Sequence, residues 1–193
     1  MRKTLDELAI GYQTDKATAH DHPHGYAPHY ERFFAALRDQ PIKLMEIGVG
    51  SGPSIRLWLE YFQQAQVFGI DIHGSDAVTD DRYTFVQGDQ ASPEFWGQFL
   101  AQHGGDWDVI IDDGGHFSGG IAISFASLWP SVKPAGYYVI EDLGCSYNPV
   151  FHTPGFPVHM DQVKAMLDQI NRAEASIANL YFSKELVILQ KNA

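Results

Sequence analysis

Five apolar runs of strand length, alternating with helix-compatible stretches, restrict this chain to very few folds. The runs are IKLMEIG (42–48), QVFGID (66–71), YTFVQGD (83–89), WDVIIDD (107–113) and GYYVIED (136–142). Between them lie PSIRLWLEYF (53–62), EFWGQFLAQH (94–103) and a helical stretch around IAISFASLW (121–129). Alternation at this spacing specifies an α/β fold, a Rossmann-like, doubly wound and mostly parallel sheet with helices on both faces. SIANLYFS (176–183) and ELVILQK (185–191) read as two more strands joined by a short turn, which makes the expected sheet seven-stranded. Before them come a Pro- and Gly-punctuated loop, Cys145 to Pro157, and an amphipathic helix with Val163, Met166, Leu167 and Ile170 at i, i+3, i+4 and i+7. No repeat, low-complexity segment or linker interrupts the 193 residues, so one domain is expected, with an N-terminal helical or lid segment at 1–38 and a core at 40–193.

Composition narrows the function classes. The apolar runs are far too short to span a membrane, and no apolar stretch follows the N-terminal Met-Arg-Lys-Thr-Leu-Asp-Glu, so a soluble, cytoplasmic protein with no membrane partner is expected. Cys145, the only cysteine, excludes an internal disulfide framework and a cysteine-based zinc site. A net charge of −11, with 13 Lys and Arg scattered along the chain, argues against a nucleic-acid partner.

The first strand closes on Glu46-Ile47-Gly48-Val49-Gly50-Ser51-Gly52, a glycine turn that lets a ligand approach the backbone closely. A dinucleotide fingerprint requires a small residue where this chain has Pro53, and the Glu46 carboxylate would repel a pyrophosphate. S-adenosylmethionine carries an ammonium and a sulfonium and no phosphate, so the charge sign favours a methyl donor held by Glu46, Gly48, Gly50 and Ser51. Asp71, ending the second strand, is placed for ribose hydroxyls, and Asp89, ending the third, for the adenine. A glycine turn alone is equally well an ordinary strand-to-helix turn.

The fourth strand ends in Asp112-Asp113-Gly114-Gly115-His116 and the fifth in Glu141-Asp142, both at the carboxyl edge of the sheet, where open α/β folds bind ligands. Carboxylates converging there repel one another unless some are protonated or a cation lies between them. Asp113, Glu141 and Asp142 are the expected ligands of a hard divalent ion, with Asp112 nearer the cofactor. Oxygen donors suit Mg2+, and calcium or manganese fit the same set. His116 is then the candidate base, since an alcohol needs both Lewis-acid polarisation and a proton acceptor before it attacks a methyl group. Singly, each feature has a plainer meaning: Asp113 as a helix cap, Glu141-Asp142 as a solvated strand end.

Thr14-Asp15-Lys16, His29-Tyr30-Glu31-Arg32-Phe33, LMEIGVGSG, IDDGGH and IEDLGCSY follow one another in the order seen in the metal-dependent sugar O-methyltransferases of macrolide biosynthesis. The chain resembles this macrocin and mycinamicin O-methyltransferase family, of class I S-adenosylmethionine-dependent methyltransferases, over most of its length. The resemblance implies methyl transfer to a hydroxyl of a small-molecule acceptor, commonly a deoxysugar of a glycosylated natural product. It also implies magnesium at Asp113, Glu141 and Asp142, His116 as base, Thr14 at the cofactor, and an N-terminal segment, Thr14 to Tyr30, that closes over the ligands. Relatives of this kind are often homo-oligomeric. Departures are Gly115 where a serine is usual, a longer histidine-rich insert (His20, His22, His24) and a shorter chain, which together imply a different or smaller acceptor. Catechol-type methyltransferases carry an aspartate-asparagine pair in place of Glu141-Asp142 and match less well.

Other readings remain at this level: a non-catalytic cofactor-binding subunit, a cephalosporin-hydroxylase-like protein with a similar aspartate-glycine-histidine turn, and a nicotinamide dehydrogenase, which Pro53 and Glu46 disfavour. His20, His22, His24 and His29 are either a second metal site or a surface loop. Tyr147, Phe151 and Phe156 line an acceptor pocket or pack their loop onto the core.

Overall fold

The computed structural model describes residues 2–74, 78–174 and 176–193. After two helices, α1 (Leu5–Tyr12) and α2 (Ala27–Phe34), the chain runs β1 (Lys43–Ile47), α3 (Pro53–Tyr61), β2 (Gln66–Asp71), β3 (Tyr83–Gln87), α4 (Pro93–His103), β4 (Trp107–Asp112), α5 (Ser118–Leu128), β5 (Val132–Ile140), α6 (His159–Asn171), β6 (Ile177–Ser183) and β7 (Leu186–Lys191). The seven strands form one sheet in the order β3-β2-β1-β4-β5-β7-β6. All pairings are parallel up to β5, and β7 inserts antiparallel between β5 and β6. The reversal of strand order falls between β1 and β4, where a doubly wound sheet opens a crevice at its carboxyl edge. Among the described residues, no helix is long and apolar enough to cross a membrane.

Local chemistry sets the helix ends. Thr4 and Glu7 form a reciprocal capping box on α1, Ser92 accepts from Phe95 N at 3.1 Å to cap α4, and Pro53 and Pro93 occupy the first turns of their helices. The central strands are buried on both faces, as parallel strands covered by helices must be. Two cores result. Leu44, Val67, Val109, Ile111 and Val139 pack against α1, α2 and α3, while Met45, Ile110, Tyr138 and Ile140 pack with residues of α4, α5 and α6 on the other face.

That alternation also sorts the acidic residues. Because side chains switch faces at every residue, Glu46, Asp113 and Glu141 continue the faces of Leu44, Ile111 and Val139, whereas Asp112 continues the face of Ile110. The register sets Ile47 beside Asp112 and Asp112 beside Ile140, so the three like-facing carboxylates emerge next to one another at the carboxyl edge. The segment between α1 and α2 folds over that edge.

Candidate active site

A cavity of about 690 Å³ opens at the crevice. One wall is the glycine turn, with Gly48, Gly50 and Ser51; the other is Asp113 to Phe117 with Asp142; Asp71, Asp89 and Gln90 form the floor, and Thr14 to Lys16 the roof. The two walls touch. A Cβ on Gly48, whose φ is +88°, would lie 1.9 Å from the Asp113 carbonyl oxygen, so only glycine allows this approach.

The donor side is built around Asp71. Its Oδ2 accepts from Val49 N and Gly50 N, each at 3.0 Å, and its Oδ1 accepts from His73 N at 2.9 Å. Asp71 thus shapes the glycine turn as well as facing the cavity. Asp89 Oδ1 accepts from Ala91 N at 2.8 Å. Gln90, which sequence reasoning missed, ties the floor to the turn after β4: its Nε2 donates to Asp112 Oδ1 at 3.2 Å and its Oε1 accepts from Gly115 N at 2.7 Å.

Three of the expected residues lie behind the cavity wall. Asp112 is fully buried on the α5 face, bonded by Ser124 Oγ and, at 3.1 Å, by the Tyr138 hydroxyl, so its carboxylate does not line the cavity. Burial raises its pKa against those hydrogen bonds. Glu46 is also fully buried, its Oε2 accepting from Ser54 Oγ at 2.8 Å and Trp58 Nε1 at 3.1 Å. Burial pushes the Glu46 carboxyl up to about 7, with Lys16 pulling it down and Asp113 pushing it further up. Glu141, likewise buried, is bonded by the Tyr30 hydroxyl, and both its oxygens accept from Lys16 Nζ at 2.8 Å. Burial and the neighbouring Asp113 raise its pKa, opposed by Lys16.

Lys16 is the residue the sequence reading passed over. Its side chain is 1% exposed, and its ammonium lies 2.5 Å from Asp113 Oδ2 and 3.4 Å from Glu46 Oε1, besides the two contacts to Glu141. Burial alone would lower its pKa, but Asp113, Glu141 and Glu46 together hold it well above the usual lysine range. A cation was expected among these carboxylates, and the chain carries one of its own. Its place in the Thr14-Asp15-Lys16 run was the available signal.

On the cavity side, Asp113, His116 and Asp142 bring one donor atom each within 4.8 Å of one another. His116 Nε2 lies 3.4 Å from Asp142 Oδ2, and both residues line the cavity from a left-handed backbone, φ +55° and +54°. Oxygen-rich donors facing a cavity, beside a lysine that shows the place to favour positive charge, fit a hard divalent ion. Asp142 Oδ1 accepts from the Tyr26 hydroxyl and lies 3.0 Å from His24 Nδ1. The histidines of the N-terminal segment therefore part ways: His24 reaches the site, His29 Nδ1 lies 2.8 Å from the Tyr181 hydroxyl, and His20 and His22 are exposed. Of the aromatic loop, Phe151 stands against His116 and Phe117, with ring centroids 6.4 and 5.6 Å apart, held there by Thr153, whose N donates to Ser118 Oγ at 2.9 Å. Tyr147 is 79% exposed and Phe156 is on the surface.

No protein-family model matches the chain. It is 36% identical over 182 residues to the mycinamicin VI 2''-O-methyltransferase of Micromonospora griseorubida, covering 88% of this chain and 45% of that protein. It is 34% identical to the demethylmacrocin O-methyltransferase of Streptomyces fradiae over the same shares. The crystal structure of the MycE methyltransferase from the mycinamycin biosynthetic pathway, in complex with Mg and SAH, superimposes with a TM-score of 0.89 at 32% identity, covering all of this chain and 55% of that one. A second structure of MycE also holds mycinamycin VI. The chain spans about half the length of the curated relatives it matches.

Proposed function

We propose that this chain, a homologue of the sugar O-methyltransferases of the macrocin and mycinamicin family, transfers the methyl group of S-adenosylmethionine to a hydroxyl on a sugar of a glycosylated natural product, with magnesium as its metal. The observation that carries the reading is a single cavity onto which both the Gly48 to Ser51 turn and the Asp113, His116 and Asp142 group open.

In this reading Gly48, Gly50 and Ser51 present backbone to the donor, Asp71 and Asp89 take its ribose and adenine, and Thr14 closes it from above. Asp113, Glu141 and Asp142 would hold the metal, Asp113 and Asp142 from the cavity side and Glu141 from behind them. When bound, the metal supplies Lewis-acid polarisation of a hydroxyl and the donor supplies an electrophilic methyl. His116 takes the hydroxyl proton, its Nε2 lying 3.4 Å from Asp142 Oδ2. Holding both reactants in one cavity converts a bimolecular encounter into an oriented one. Phe117 and Phe151 form the apolar rim next to His116 and suit the face of a sugar ring or aglycone. The protein is taken to work in the cytoplasm, and a homo-oligomer is a matter for light scattering.

The test is calorimetric titration of S-adenosylmethionine and S-adenosylhomocysteine with magnesium and again with chelator, followed by an acceptor screen of macrolide and other glycosides. Micromolar binding and chelator-sensitive methyl incorporation are expected. No binding in either condition would leave only the fold.

A further inference from the structure

His116 sits in a left-handed turn, φ +55°, a conformation that costs a residue with a side chain free energy and persists only where its surroundings hold it. The loop after β5 and the start of α6 secure the residues that follow it. Thr153 N donates to Ser118 Oγ at 2.9 Å, Gly119 N donates to Thr153 Oγ1 at 3.0 Å, and Gln162 Nε2 donates to Ser118 O at 3.3 Å. None of these bonds reaches His116 itself. His159, the first residue of α6, does come against it, and the chemistry described above does not use this buried side chain, which is 2% exposed.

Burial lowers the His159 pKa; the backbone of His116, as a hydrogen-bond acceptor, opposes this, and the rings of His116 and His152 add to it. The N-terminus of a helix also disfavours an imidazolium. The ring is therefore neutral, with one N–H and one lone pair. Ser146 sorts the two nitrogens. Its Oγ accepts from Met160 N at 3.1 Å and lies 3.3 Å from His159 Nδ1, while its carbonyl accepts from His152 Nε2 at 3.0 Å. The Ser146 hydroxyl has a proton left to give, and Nδ1 is there to take it, which leaves the ring proton on Nε2. That atom is buried with no other partner among the described residues, and the His116 backbone is the acceptor beside it. We propose that His159 is a positioning residue for His116: a neutral ring, tied to Ser146 through Nδ1, that donates from Nε2 to the His116 carbonyl and holds the left-handed turn from which the base faces the cavity. The inference rests on reading His116 as the base.

Nuclear magnetic resonance on the 13C,15N-labelled whole protein and its His159→Asn and His159→Gln variants tests it without any acceptor. In the unaltered protein the His159 nitrogens should report a neutral ring protonated at Nε2, and the Cα and Cβ shifts and HN–Hα coupling of His116 should report its left-handed backbone. His159→Asn can reach Ser146 but not His116, so the left-handed signature should be lost at His116 and kept at Asp142, which shares that conformation. His159→Gln, with an N–H near the place of Nε2, should restore it. With a glycoside acceptor, His159→Asn should lower kcat about tenfold at unchanged affinity for S-adenosylmethionine, and should lower turnover no further in a His116→Ala background. A His159 ring protonated at Nδ1 would overturn the proposal. So would a His116 that stays left-handed in His159→Asn, a loss as great at Asp142 as at His116, or a further fall in the double variant, since His159 would then act on the fold at large. Full turnover in His116→Ala would instead refute the base reading, and His159 as a positioning residue with it.

Discussion

The Tyr26 hydroxyl donates to Asp142 Oδ1 at 2.7 Å, joining the start of α2 to the turn after β5 across 116 positions of sequence. Tyr26 is buried, and the carboxylate it holds is the one that faces His116. A hydrogen bond to a charged group is worth about 1.5–3 kcal/mol. Tyr26→Phe should therefore lower turnover by roughly tenfold or more while leaving donor binding intact. Steady-state kinetics beside calorimetry decide it, and an unchanged kcat would show that Asp142 needs no such support.

His116→Ala is expected to lose about 10²- to 10⁴-fold in turnover, the usual contribution of a positioned base. Donor binding should be retained. Full activity in this variant would remove His116 from the chemistry.

Asp71→Ala strips the acceptor from two backbone amides of the glycine turn, those of Val49 and Gly50. Gly50 is exposed and its amide can turn to water, but an unsatisfied donor at the buried Val49 costs about 1–3 kcal/mol, so the affinity for S-adenosylmethionine should fall by about tenfold, with Asp71→Asn between the two. Equal affinities for all three proteins, measured by calorimetry, would show that the turn holds its shape unaided.

Glu46 bears on stability against pH. Burial raises its carboxyl from 4.5 to about 7, so between those values the folded chain holds a proton that the unfolded chain has released. The destabilisation is absent below the lower value and complete above the higher one, so stability falls as pH rises through this window. Glu46→Gln should flatten that fall by on the order of 3 kcal/mol between pH 5 and 8, seen as a smaller drop in Tm. An identical pH profile would mean that Glu46 stays ionised throughout.

The sheet was legible because buried parallel strands must be nearly continuous in apolar residues, as LMEIG and VIIDD are. SIANLYFS and ELVILQK were readable as strands, but their order was not: β7 lies inside β6, a matter of tertiary pairing that no local pattern encodes. The glycine turn and the Asp113 to His116 turn were legible because each is contiguous. Lys16 was not, since its partners Asp113 and Glu141 are 97 and 125 positions away. Gln90 and Tyr30 were hidden in the same way. Asp112 and Asp113 are adjacent letters that strand alternation sends to opposite sides of the sheet, and counting parity along WDVIIDD separates them.

The contact between Gly48 and the Asp113 carbonyl has a consequence for anyone reshaping this protein. The glycine turn and the Asp113 turn share a seam with no slack, so a side chain at position 48 could enter only if the two turns moved apart. Phe117, by contrast, is 48% exposed and lies outside every strand, so it can be exchanged with no strand having to move.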